Sequence, residues 1–241
     1  MPAPHRRVVG RIRIDMNDYR AIMKKVGLAL IALGTIDVAY MIYCIAHRIG
    51  YSSSFNIFAI IAGVFLYQGN LKSIRIVTWF SAFLSSAFIG MIVLSPFFMP
   101  INLMTTYLRL HPISFIAYNF IAIALIIFLL WVYKTLSSES ILAALAQNNV
   151  ENKWLMRKPR NGFIFGGSLP VILVIVMSVS LFAETPGKAK IEAEKITGPG
   201  YKYHVSSWNI NATFGGKTFY RANVTAYNDH EIKDVHIEWE K

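Results

Sequence analysis

Apolar residues gather in five long blocks along the chain, at 26–46, 54–69, 76–99, 113–133 and 163–183, and beyond these the pattern changes to alternation. A helix rising 1.5 Å per residue needs about 20 apolar residues to cross a hydrocarbon core of about 30 Å. Four of the blocks meet that length, and 54–69 is the shortest, readable as a tilted or marginal span. The block at 26–46 lies too far from the N-terminus, and is too long, for a signal peptide. Ser95, Pro96 and Pro100 end the third block, which leaves 101–110 as a short interfacial stretch before His111 and Pro112 restart the chain.

After Pro186 and Gly187, residues 188–196 predict a short helix with Ala189, Ala193 and Ile196 on one side, closed by Gly198, Pro199 and Gly200. Three strands follow, at 201–214, 218–227 and 232–239, and a meander is their simplest arrangement. Register decides which side chains share a face, because a slip of one residue reverses a strand. A three-residue first loop, 215–217, sets Trp208, Ile210 and Ala212 on the face of Tyr220, Ala222 and Val224. A four-residue second loop, 228–231, adds Val235, Ile237 and Trp239. The opposite face then carries Ser207, Asn209, Asn211, Arg221, Asn223, Thr225, Asp234, His236 and Glu238. Three strands and one small helix are marginal alone, so this sheet calls for cover from the helix and a partner.

Composition agrees with a membrane protein: 55% of residues are hydrophobic and 15% charged. Charge then supplies direction. Residues 1–183 hold 16 Lys/Arg against 5 Asp/Glu, whereas 184–241 hold 8 of each. Arg6, Arg7, Arg11, Arg13, Arg20, Lys24 and Lys25 precede the first block; Lys72 and Arg75 lie between the second and third; Lys134, Lys153, Arg157, Lys158 and Arg160 lie between the fourth and fifth. The intervening loops hold only Arg48 and Arg109. Positive loops resist translocation, so the N-terminus is expected in the cytoplasm and the tail outside, and only five crossings keep the basic segments on one side. Tyr51, Trp79, Tyr107, Trp131, Tyr133 and Trp154 fall near the span boundaries as an aromatic belt. Basic residues that flank spans instead of lining one soluble face exclude a nucleic-acid-binding reading.

Within the cytoplasmic parts, 11–25 reads as a basic flank or an amphipathic helix running into the first span, and 139–147 as a helix ended by Asn148 and Asn149. The run 154–160 returns the chain to the membrane with aromatic and basic anchors. No Gly-rich phosphate cradle accompanies them.

Candidate chemistry is sparse. Asp37, near the middle of the first span, is the most pointed intramembrane residue, because a carboxylate there is costly and normally faces a partner or a watery path. It reads either as an ion-linked group or as a packing lock against Asn119, Thr78 or a serine of the third span. Small residues at Gly63, Gly69, Ser81, Ser85, Ser86 and Gly90 allow close helix packing. Cys44, the one cysteine, excludes an intrachain disulfide and reads as packing. His204 and His236 fall on opposite faces in the register above, which argues against a metal site, and no nucleophile elbow is present. The triplets 211–213 and 223–225 match the N-glycosylation pattern, which strands rich in Asn and Thr also produce by chance.

The expected architecture is therefore a membrane all-α fold of five transmembrane helices, N-in/C-out, with a small extracytoplasmic α+β domain. Its parts are a basic segment (1–25), a four-helix transmembrane domain (26–135), a cytoplasmic linker (136–160), a fifth helix (161–183) and the outer domain (184–241). The expected role is a non-enzymatic accessory, assembly or scaffold subunit of a bacterial inner membrane. It needs no cofactor or metal, and it docks a membrane-protein partner or a second copy through Trp208, Tyr220 and Trp239. A small carrier using Asp37, and a sensor with an outer ligand-binding module, are the alternatives.

Overall fold

The computed structural model describes residues 16–51, 55–147, 159–181, 184–212 and 218–240. Nine helices are described, α1 (Met16–Ala46), α2 (Phe55–Tyr67), α3 (Leu71–Val93), α4 (Ser95–Phe98), α5 (Ile101–Leu110), α6 (Pro112–Leu136), α7 (Glu139–Gln147), α8 (Asn161–Leu181) and α9 (Glu184–Thr197), followed by strands β1 (Lys202–Ala212), β2 (Thr218–Tyr227) and β3 (Ile232–Glu240). Four of them, α1, α3, α6 and α8, have the length and apolar composition to cross a membrane, which makes this a multi-pass membrane protein. The block at 54–69 forms α2, whose 13 residues rise about 20 Å. The third block starts earlier than its apolar run: α3 begins at Leu71, so Lys72 and Arg75 belong to the helix and Arg75 is buried. Of the predicted cytoplasmic pieces, 139–147 is the helix α7, while 1–15 and 148–158, with Trp154, lie outside the described residues.

The chain divides into two compact units. The first contains α1, α2, α7, the start of α3 and the end of α6. Here α1 and α2 form an antiparallel pair that closes on two glycines: a Cβ at Gly63 would stand 2.6 Å from the Gly27 carbonyl oxygen and 2.9 Å from the Ile31 nitrogen. Side chains of any size would force these backbones apart. Tyr19, Met23, Val26 and Leu30, spaced along one face of α1, are buried with Ile74 and Val77 of α3, Val132 and Leu136 of α6, and Ile141, Ala144 and Leu145 of α7. The described part of 11–25 is helical from Met16 and runs without a break into the first span. Cys44 is buried, as its packing role requires.

The second unit contains the rest of α3 and α6 with α4, α5, α8, α9 and the sheet. α8 runs parallel to α3: Gly166 lies against the Phe83 carbonyl, and four residues on, Pro170 fills the space that a side chain at Gly90 would take, 2.8 Å from that missing Cβ. The C-terminal ends of α3 and α8 therefore point the same way. The connection α4–α5 follows one of them, and α9 with the sheet follows the other.

The sheet is antiparallel in the order β1-β2-β3. β2 and β3 pair as the four-residue loop dictates, with Tyr227 opposite Ile232 and Tyr220 opposite Trp239. β1 and β2 keep the expected faces but sit two residues out of the expected register, with Trp208 opposite Ala222 and Ile210 opposite Tyr220, because the pairing stops at Ala212 and Thr218. A β-bulge interrupts β1 between Val205 and Ser207. The inserted Ser206 reverses the alternation, so Tyr203 and Val205 join the apolar face that Trp208 occupies. On that face Val205, Ala222, Val224 and Ile237 are buried under Ala189 and Ala193 of α9, flanked by Tyr203, Trp208, Val235 and Trp239. Ile196, expected beside those alanines, is 64% exposed: α9 turns it away from the sheet at its last turn. Gly198 ends the helix with φ +91°, donating to the Glu194 carbonyl, and its own carbonyl accepts from the Tyr203 hydroxyl.

Candidate functional site

The bulge has a chemical result. Below it, His204 is carried to the polar face of the sheet, opposite Thr225, which is itself opposite Asp234. The next row on that face is Ser207, Asn223 and His236. The two histidines expected on opposite faces therefore share one. With strands about 4.8 Å apart and about 3.4 Å per residue, the backbones of His204 and His236 are about 12 Å apart, too far for one metal ion. Among the described residues no group of three or more His, Cys, Asp or Glu could hold a metal.

Over this face lies α5. Its Leu103 and Thr106 are buried, and Leu103, Tyr107, Phe98 and Met99 roof a cavity of about 420 Å³ floored by His204, Ser206, Asn223, Thr225, Asp234 and His236. Tyr107, expected in a lipid-facing aromatic belt, instead turns to the sheet. Arg109 of α5 pairs with Asp229 of the β2–β3 turn at 3.4 Å, an exposed bridge that fixes position more than it stabilises.

The floor is hydrogen-bonded in a directed way. Asn223 donates through Nδ2 to the Ser207 hydroxyl at 2.9 Å, so its Oδ1 faces His236 and accepts from Nδ1 at 2.5 Å. That assigns the proton of a neutral His236 to Nδ1 and leaves Nε2 a lone pair. The Thr225 hydroxyl donates to Asp234 Oδ1 at 2.9 Å. His204 donates to the Phe98 carbonyl; burial, aided by Lys190 and opposed by that bond, holds its pKa below the ordinary histidine value. Burial, and then the Asp234 charge, raise the Tyr107 hydroxyl above its usual pKa, so it remains a donor.

The sequence-predicted residues fall elsewhere. Trp208, Tyr220 and Trp239 are half-buried on the apolar face, and the rings of Tyr220 and Trp239 stack at 5.4 Å. Ile210, in their row, is 53% exposed, so α9 leaves the end of that face open. Asp37 is half-buried in α1. Asn119, exposed in α6, donates to the Phe115 carbonyl of its own helix at 2.8 Å, and the Thr78 hydroxyl likewise serves Ile74 at 2.6 Å. Asp37 and Asn119 belong to different compact units. The sequence carries a signal for the cavity: apolar residues at 203, 205, 208 and 210 step by two, three and two, and the long step marks the bulge.

The chain matches no family model, no curated protein and no solved structure.

Proposed function

We propose that this protein is a non-enzymatic accessory or assembly subunit of a bacterial inner-membrane complex, crossing the membrane five times with its N-terminus in the cytoplasm. Its C-terminal α+β domain works outside, docking a segment of another membrane protein. One observation carries this: the row Ile210, Tyr220 and Trp239 continues the apolar face of the sheet beyond the residues buried under Ala189 and Ala193, with two stacked rings and an exposed isoleucine. Aromatic residues beside an aliphatic one on a rigid strand face are the usual anchors of a protein contact. Both outer strands, β1 and β3, also offer edges to an added strand. The orientation is supported by the Lys/Arg distribution and by the parallel run of α3 and α8, which sends α4–α5 and the C-terminal domain out at the same end.

A photo-reactive residue in place of Ile210 tests the reading in the native membrane. It predicts one discrete cross-linked product with another membrane protein, lost when Trp239→Ala removes the neighbouring anchor. A product with a second copy of the chain redirects the reading to self-association. Cross-linking to lipid alone removes it.

A further inference from the structure

The cavity between α5 and the polar face of the sheet has a recognisable chemical bias, independent of the docking row. Its floor presents acceptors: the His236 Nδ1–H donates to Asn223 and leaves Nε2 facing away from that bond, His204 spends its N–H on the Phe98 carbonyl, and the Asp234 carboxylate accepts from one hydroxyl, that of Thr225. Among the lining residues Asp234 is the one carboxylate, and there is no Lys or Arg. A phosphate or carboxylate would meet that charge without a countercharge in the lining: Arg109 is engaged by Asp229, and Lys190, whose charge reaches His204, belongs to α9, which packs on the opposite face of the sheet. The roof supplies what a carboxylate alone lacks in selecting an organic cation: the rings of Phe98 and Tyr107 and the thioether of Met99, with Leu103 for attached methylenes. Aromatic faces attract ammonium groups within about 6 Å, most strongly where water is excluded. A metal ion is disfavoured by the separation of the histidines. The site also has a natural position for lipid, since α5 joins the end of one membrane helix to the start of the next.

We propose that this cavity binds an organic ammonium group, carried either on a lipid headgroup or on a free amine, with Asp234 as its counterion and Tyr107 and Phe98 as its aromatic wall.

The full chain in phosphatidylglycerol nanodiscs, in phosphate buffer free of amines, is titrated with ethanolamine by calorimetry at pH 7.5. One saturable site is expected. Asp234→Asn and, separately, Tyr107→Leu each weaken it at least tenfold, while Glu238→Gln, one row beyond His236 and two beyond Asp234, leaves it unchanged. Repeating the titration in phosphatidylethanolamine nanodiscs distinguishes the sources. An apparent Kd raised tenfold or more shows that the headgroup already occupies the site, and an unchanged Kd assigns it to a free amine. The proposal falls if no saturable binding occurs in phosphatidylglycerol, if both variants bind as the parent does, or if acetate binds as tightly as ethanolamine. Two variants on different elements, one on β3 and one on α5, keep the outcome readable should either disturb the fold.

Discussion

His204 links two elements by one hydrogen bond, from its ring to the backbone of Phe98, and does so as a partly buried, neutral imidazole. Because its folded pKa is depressed, the unfolded chain binds the extra proton first as acid is added. The stability it contributes is complete above the unfolded value of 6.5 and is lost as pH falls from there through the folded pKa. Thermal unfolding in detergent should therefore show a midpoint that drops between about pH 7 and pH 5, and His204→Gln should flatten that slope. An equal slope in the variant would assign the acid sensitivity to another group. Two of the side chains named as possible partners of Asp37 show how polar groups in spans are satisfied locally. Asn119 and Thr78 satisfy themselves on carbonyls of their own helices, four residues back, a solution that composition cannot distinguish from a bond across helices.

At the scale of elements, hydrophobic length and alternation carried most of the information. The blocks at 26–46 and 113–133 fall within α1 and α6, the described part of the block at 163–183 lies in α8, the helix at 139–147 has the expected ends, and β2 and β3 pair as their loop length required. What alternation conceals is an insertion that leaves both halves of a strand regular. Ser206 is such an insertion, and it moves His204 from one face to the other. Deleting Ser206 should remove the bulge and keep both flanking registers, with Val205 opposite Val224 and Ser207 opposite Asn223, so that His204 stays on the polar face. The expected result is a domain that still unfolds cooperatively, read from Tyr and Trp near-ultraviolet dichroism; a loss of cooperativity would show that the bulge itself is required. Close approach of helices is similarly hidden, because a glycine in a span has several uses. Gly63→Ala would place a methyl group against backbone atoms of Gly27 and Ile31 that belong to a helix and cannot swing away. Overpacking of this kind costs about 1–3 kcal/mol. Gly50→Ala, which meets nothing within 4 Å, should leave the melting temperature unchanged.

For the molecule as a whole, the decisive quantity is the depth covered by α2. Its 13 residues rise about 20 Å, short of a hydrocarbon core of about 30 Å. Yet the chain makes up the difference at both ends. Tyr51, already past the turn, has its ring 6.1 Å from that of Tyr40, six residues before the end of α1, so the chain has begun to fold back along α1 at Tyr51. At the other end, Lys24 of α1 lies over the ring of Tyr67, and Ile74 and Val77 share a core with Tyr19 and Met23. The first turns of α3 thus return to the level at which α1 starts, which requires the hairpin to retrace the depth of α1. Single cysteines in a Cys44→Ser background can test this with a membrane-impermeant maleimide. Gly50→Cys and His230→Cys should label in intact cells, and Gln68→Cys only after permeabilisation. If Gln68→Cys labels together with Gly50→Cys, α2 does not cross, and the basic residues on either side of it no longer share a compartment. Labelling of Gln68→Cys apart from both outer positions would make the short helix a full crossing, supported by packing where its own length falls short.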